Sequence, residues 1–383
     1  MKTKMRTNKM CALVGNLHRY DELLPLTEHR PLATLPFDSK YRLIDFNLSS
    51  IANANIKSLF MVFNEGETQS VFDHIGGGKE WGLAGIQNRF FIHIYQDFIR
   101  RADNNSSYYD LVIDYLKKSK SEYAVYMGSK ILVNIDLRAL LHIHQSHGNE
   151  MTMVYKRVSK DMVYKEDIVF KLGQDNLIEE QQLAKDAELG DVVNLCTDIF
   201  IIKTDKLIEI LREKQANGIL GNVEGFLRER VGENTYAYEY TGYLNNIYDI
   251  PSYYRANMDM LDISKFNSLL YSSQKVYTKM KNEVPTYYTE TSDVKNSQFA
   301  TGCMIEGHVA NSLIGRGSTI EEGAEIEGSL LLPSTTIKKG AIVKYAILDK
   351  NVVVEERVRI EGTPENPVVV SKGSTVTADV IGG

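Results

Sequence analysis

The 383-residue chain is too long for one ordinary core, so two domains are expected, and its 25% charged and 43% hydrophobic residues are the balance of a globular protein. A net charge of −6 and a pI near 5.8 argue against a general nucleic-acid or anionic-membrane partner, and no apolar run approaches the ~20 residues of a membrane span. Cys11, Cys196 and Cys303 are scattered and form no CxxC pair, so neither a zinc site nor a disulfide framework is indicated; with Met10 to Val14 too short for a signal-peptide core, a cytoplasmic protein is expected.

From Met10 to about Ile250 short apolar runs alternate with amphipathic stretches, the pattern of βαβ units around a mainly parallel sheet. Strands are predicted at 10–14, 58–63, 123–127, 151–158 and 193–202, and helices at 48–55, 109–118, 137–147, 204–214 and 223–231. Ligands of such sheets sit at the carboxyl ends of the strands, which directs attention to the turns after Val14, Phe63 and Met127. Residues 262–298, rich in Ser, Tyr and Lys, read as a surface linker between a first domain, 1–261, and a second, 299–383. In the second, aliphatic residues recur six apart: Ile314, Ile320 and Ile326, then Ile337 and Val343, then Ile347 and Val353. That spacing predicts a β-helix whose inward side chains stack from coil to coil.

Residues 36–48, Pro-Phe-Asp-Ser-Lys-Tyr-Arg-Leu-Ile-Asp-Phe-Asn-Leu, resemble the signature of bacterial and plant glucose-1-phosphate adenylyltransferases. Similar segments recur in family order at 25–27, 40–46, 74–78, 242–243 and 255–261, so the resemblance covers nearly the whole chain. It implies a Rossmann-like, GT-A-like α/β nucleotidyltransferase domain followed by a left-handed parallel β-helix. Phosphoryl chemistry on such a scaffold needs a glycine-rich turn for the phosphates, carboxylates for Mg²⁺ and a cation at the sugar phosphate.

Each of those stations departs from the family pattern. Where the family has L-A-G-G-x-G-x-R-L, only Gly15 is kept; Asn16 and His18 replace glycines, Tyr20 replaces the arginine, and Arg19 serves instead if the register slips by one. His18 is read as a solvated loop residue rather than a general base. The metal-binding aspartate of Ser-Gly-Asp-His corresponds to Ser129, followed by Lys130, and the second metal-binding aspartate corresponds to Asn246. At ~3 kcal/mol of transition-state stabilisation per contact, losing both costs ~10⁴-fold in rate. No lysine stands in Glu179-Glu180-Gln181-Gln182-Leu183, where the sugar-phosphate lysine belongs, although Lys185 is close; Asp198 falls near a glycine that borders the sugar.

The resemblance is closest to the noncatalytic D-type subunits of the bacterial enzymes. It implies a regulatory chain that joins a catalytic subunit in a heterotetramer of glycogen synthesis, with no cofactor of its own and Mg²⁺ belonging to the partner. Arg30, Lys40 and Arg42 match basic positions of the family's regulatory anion site, with ion pairing to Asp38 or Asp45 as the plain alternative, and Leu32 replaces a further lysine. Two other readings are an active enzyme with Asp21, Glu22 and Asp198 as metal ligands, and a sugar-phosphate or nucleotide sensor without turnover. His142, His144 and His147 are read as a solvated helix end rather than a metal site. Gly76-Gly77-Gly78, ending at Trp81, is read as a flap over the former nucleotide pocket, and the lone His308 argues against a hexapeptide acyltransferase.

Overall fold

The computed structural model describes residues 9–85, 88–103, 108–232 and 234–382. Its first domain is built on a nine-stranded sheet. Strand Met10–Asn16 lies between Ser58–Phe63 and Tyr123–Met127, parallel to both, and Arg89–Ile94 closes that edge in parallel. These strands are apolar on both faces because helices cover both, so Tyr123–Met127 is buried at all five residues. Val192–Lys203 runs antiparallel beside Tyr123–Met127 and leads to the remaining strands.

The helices start and stop where local chemistry tells them to. Asp136 accepts the Arg138 and Ala139 amides at the start of Leu137–His147, and Gly148, at φ 70°, ends it in the left-handed conformation. Asp249 and Ser252 form a reciprocal capping box on Ile250–Met258. The first predicted helix begins earlier than expected, at Ile44, and runs to Asn53, with Ile44, Phe46, Leu48 and Ile51 buried.

The second domain is a left-handed parallel β-helix of hexapeptide repeats. Most stacked strands pair 17 residues apart, as Leu313 with Leu330 and Ile320 with Ile337, whereas the last turns are longer, Leu348 pairing with Val370. Ile320, Ile337 and Val354 form one inner column and Ile326, Val343 and Ile360 another, each residue at most 2% exposed. Full burial of such a side chain stabilises by ~1.5–3 kcal/mol. The third predicted run is out by one residue: Leu348 and Val354 point inward, while Ile347 joins Leu313 and Leu330 in a column facing the first domain. A strand alternates its faces, so neighbouring residues serve different cores.

The expected linker is largely structured. Ile263–Leu270 is a helix capped by Asp262, Lys275 and Tyr277 bond the helix Ile44–Asn53, and strands Tyr287–Tyr288 and Asp293–Lys295 already belong to the first coil. The β-helix therefore begins before Phe299. The coil's outer, solvated turn lacks the aliphatic spacing by which the later coils are recognised. The two domains share an apolar seam in which Leu313, Leu330 and Ile347 meet Phe37, Tyr253 and Leu269.

Candidate functional site

The turns after Met10–Asn16 and Tyr123–Met127 face each other at the carboxyl edge of the sheet. Gly15 stays glycine for a local reason: a Cβ there would lie 1.7 Å from the Tyr126 hydroxyl. Ser129 Oγ donates to the Gly15 carbonyl at 2.8 Å, tying the two turns together. The Asn16 side chain lies outside the described residues.

A bulge in Val192–Lys203, between Cys196 and Phe200, holds Asp198 at φ 57° and presses it against Gly128, whose amide donates to the Asp198 carbonyl at 2.9 Å. Arg228 grips that carboxylate with two bonds, Nε to Oδ1 at 2.9 Å and Nη2 to Oδ2 at 2.7 Å, and also reaches Glu224 Oε1 at 2.9 Å. His18 is bound rather than simply solvated: its Nε2 lies 3.1 Å from Glu224 Oε1, while the Tyr126 hydroxyl donates to Oε2 at 2.9 Å. Burial pulls the Glu224 carboxyl up, but His18, Arg228 and Tyr126 outweigh it and hold the group at about 2. The bond to Glu224 raises His18 above the ordinary histidine value.

The metal stations do not fit a divalent cation. Lys130 forms a buried ion pair with Asp167, and Asn246 Nδ2 donates to the other oxygen of the same carboxylate at 2.6 Å. Strand pairing of Asn246 with Ile131 fixes the two stations side by side. A protein ammonium thus stands among the groups that would have to coordinate a metal, with a neutral hydroxyl and a neutral amide at the two aspartate positions. Asp21, Glu22 and Asp198 do not converge as alternative ligands: Glu22 pairs with Lys165 at 3.6 Å, Asp198 is held by Arg228, and no metal-binding group of three His, Cys, Asp or Glu gathers among the described residues.

Space and charge agree with that. The cavity between the two turns, lined by Gly15, His18, Ser129, Lys130 and Asp198, measures about 20 Å³, room for about one water. A neighbouring cavity of about 320 Å³ is lined by Asp21, Glu28, Glu65 and Glu67 against His18, Arg19 and Arg30, an environment unsuited to a polyphosphate. Arg19 itself pairs with Glu67 at 2.7 Å. Glu179 to Leu183 form part of the edge strand Ile178–Leu183, where Gln181 bonds the Arg228 and Val231 carbonyls, and Lys185 lies in the short turn beyond it.

Several other predicted features take different places. His144 is buried and bonded to Thr152 Oγ1 at 2.8 Å, burial pushing it down to about 4, and His147 stacks on Tyr236. Trp81 and His74 are buried side by side, whereas Gly76 and Gly77 are exposed; His74 lines the space between the domains, not the nucleotide side. His308 lies on the outside of the β-helix, 3.7 Å from Asp293.

The three basic positions also separate. Arg30 is buried, bonded to the Leu26 carbonyl at 2.7 Å and ion-paired with Asp349 of the β-helix, a partner other than the two expected. Lys40 and Arg42 instead line an interdomain cleft of about 240 Å³ with Lys279, Lys281, Arg316 and Lys350, no carboxylate being among its lining residues. Arg42 keeps its backbone amide on Asp45 at 2.9 Å and its guanidinium on the Ser70 carbonyl at 2.7 Å. Burial lowers Arg42 to about 10. A second, wider cavity of about 560 Å³ continues from the same Lys40, Tyr41, Lys281 and Arg316 and adds Asp38, Phe266 and Tyr277. The cleft lysines beyond Lys40 carry no sequence signal of their own, since the fold alone gathers them.

Fold and site together define a sugar-nucleotidyltransferase scaffold carrying a hexapeptide-repeat β-helix. The nucleotidyl transferase family matches residues 21–165, and the GlmU-like C-terminal hexapeptide family matches residues 283–379. The chain is 30% identical over 377 residues to the glycogen biosynthesis protein GlgD of Geobacillus stearothermophilus, covering 98% of this chain and 99% of that one. It is 28% identical over 375 residues to GlgD of Bacillus subtilis, covering 96% and 97%, and 25% identical over 363 residues to a glucose-1-phosphate adenylyltransferase of Bacillus cereus, covering 92% and 95%. The chain belongs to the family formed by the GlgD glycogen biosynthesis proteins and the glucose-1-phosphate adenylyltransferases.

Proposed function

We propose that the chain is a regulatory, catalytically deficient subunit of glucose-1-phosphate adenylyltransferase, acting in the cytoplasm in glycogen biosynthesis. Its partner is a catalytic subunit that makes ADP-glucose and pyrophosphate from ATP and glucose 1-phosphate, in a heterotetramer. The observation that carries the reading is the Lys130–Asp167–Asn246 group, which puts an internal ammonium and a neutral amide where the reaction needs carboxylates and Mg²⁺. This chain then works without a cofactor, and Mg²⁺ serves the partner. Asn16, His18, Ser129 and Asn246 are degenerate positions, and Gly15 and Arg19 are remnants of the nucleotide loop.

The cleft lined by Lys40 and Arg42 supports a site for a phosphate-bearing effector, because several cations share it without a lining carboxylate. A subunit that favours its partner's active conformation by 1–3 kcal/mol changes affinity or effector response by ~5–150-fold. The purified chain alone, given Mg²⁺, ATP and glucose 1-phosphate, is expected to form ADP-glucose at no more than ~10⁻³ of a competent homologue's rate. Mixed with the catalytic subunit, it is expected to lower the apparent substrate requirement or raise the maximal rate. Turnover of the chain alone near competent rates would refute the reading.

A further inference from the structure

Beyond the basic cleft, the wider cavity of about 560 Å³ changes character. The cations that line both spaces, Lys40, Lys279, Lys281 and Arg316, mark their common boundary. Two of them are already engaged, Arg316 with Glu283 at 3.1 Å and Lys279 with the Asp73 carbonyl. Past that boundary the walls are mainly aromatic and neutral, and Asp38 and Lys275 are the only further charged side chains among the described lining residues. Three buried polar atoms of these walls have no hydrogen-bond partner among the described residues: Asp38 Oδ1, Ser39 Oγ and Thr278 Oγ1. Asp38 is only 4% exposed, and burial lifts its carboxyl to about 7 against the pull of Lys40. Asp38 and Ser39 also hold φ at 49° and 57°, the left-handed region that a side chain makes costly.

Unpaired buried groups of this kind destabilise the empty protein and are satisfied by a ligand that brings the missing partners. The partners missing here are hydroxyl groups, offered beside aromatic rings. A pyranose has both features, a rim of hydroxyls and two C–H faces that pack on rings. A phosphate has neither, and it would meet the Asp38 carboxyl. We propose that this cavity binds an unphosphorylated oligosaccharide, whose hydroxyls pair with Asp38, Ser39 and Thr278 and whose ring faces pack on Phe266 and Tyr271. Tyr271 is 75% exposed and its ring centre lies 5.6 Å from that of Phe266, so the aromatic platform runs out to solvent and admits a chain of more than one sugar. The volume lies within the ~300–1,000 Å³ of small-molecule sites. This site requires neither the anion reading of the cleft nor the loss of catalysis.

The test uses the full-length chain with maltotriose as the probe, calorimetry reporting affinity and thermal unfolding reporting stability. The native chain is expected to bind maltotriose. Asp38→Gly removes the carboxyl and suits a left-handed φ, and Thr278→Val removes an unpaired hydroxyl at nearly constant shape. Each is expected to weaken maltotriose binding by ~10-fold or more without lowering the melting temperature. Groups with a merely structural role would show the reverse, a lower melting temperature at unchanged affinity. Absence of maltotriose binding to the native chain, or unchanged affinity in both variants, would overturn the proposal. Inorganic phosphate titrated into the same native chain reports on the cleft alone, so the two readings fail separately.

Discussion

Asp167 is shared between Lys130, paired with its Oδ1, and Asn246, whose Nδ2 donates to Oδ2 at 2.6 Å. The carboxylate that Lys130 and Asn246 share is thus neutralised from within the chain. Removing its cation leaves a buried charge without compensation. Lys130→Met is therefore expected to cost about 3–5 kcal/mol of stability, read as a lower denaturant midpoint at constant slope.

The same arrangement bears on metal binding. Millimolar Mg²⁺, or its removal with a chelator, is expected to leave the melting temperature of the native chain unchanged, because binding to the folded state alone would raise it. Ser129→Asp combined with Asn246→Asp is expected to leave ADP-glucose synthesis undetected, since Lys130 and the altered phosphate loop remain. Recovered turnover in that double variant would show that the carboxylates alone were missing.

Arg228 answers two buried carboxylates, Asp198 and Glu224. Arg228→Ala is expected to destabilise by about 3–5 kcal/mol, more than any exposed ion pair of this chain. Glu224 is held at about 2 in the folded protein, below its unfolded value near ~4.3. Its contribution is present above the unfolded value and is lost as pH falls through the folded one. Acid titration of stability should show this loss between about pH 4.3 and pH 2, and Glu224→Gln should flatten it.

His18 works in the opposite direction. Its folded value is raised by Glu224, so its contribution is complete below the ordinary histidine value near ~6.5 and fades as pH rises through the raised one. An NMR titration of the His18 ring should give a midpoint above the ordinary histidine value near ~6.5, and Glu224→Gln should bring it down.

On the proposed reading of the cleft, Lys350 should make anion binding there pH-dependent. The group is depressed to about 7 by burial, then by Arg42 and Arg30, with Asp349 opposing and Lys372 adding to the depression. A bound anion favours the ammonium, so binding takes up a proton above neutrality. Phosphate affinity should fall by up to ~10-fold per unit as pH rises past 7, after allowance for phosphate's own ionisation, and Lys350→Met should remove that component. Calorimetry in buffers of different ionisation enthalpy measures the proton directly.

The sequence made the scaffold legible where a physical period repeats. The apolar runs at Ser58–Phe63 and Tyr123–Met127 and the amphipathic stretch Leu137–His147 were delimited correctly because burial and capping leave residue patterns. Arg89–Ile94 escapes the reading because it is an edge strand, fully buried at no residue, whose Phe90-Phe91-Ile92 run shows no period-two alternation. Ser129 and Asn246 are legible in the sequence as departures from a motif, but the groups that surround them in the fold are not. Asp167 lies 37 residues from Lys130, and Glu224 lies 206 from His18, so only the fold reveals those partnerships. Arg30 shows the same limit, since its β-helix partner lies 319 residues away.

The alternation of Ile347 and Leu348 has a mechanical consequence. One residue packs against the first domain and the next closes the β-helix core, and both sit on one three-residue strand, Ala346–Leu348. Sliding that strand by one residue would exchange the two faces, and pivoting the domains would drag the inner column with the outer one. The interdomain seam and the β-helix core thus share one strand, and neither face can be repacked without the other. The halves of the molecule are fused along a common apolar spine.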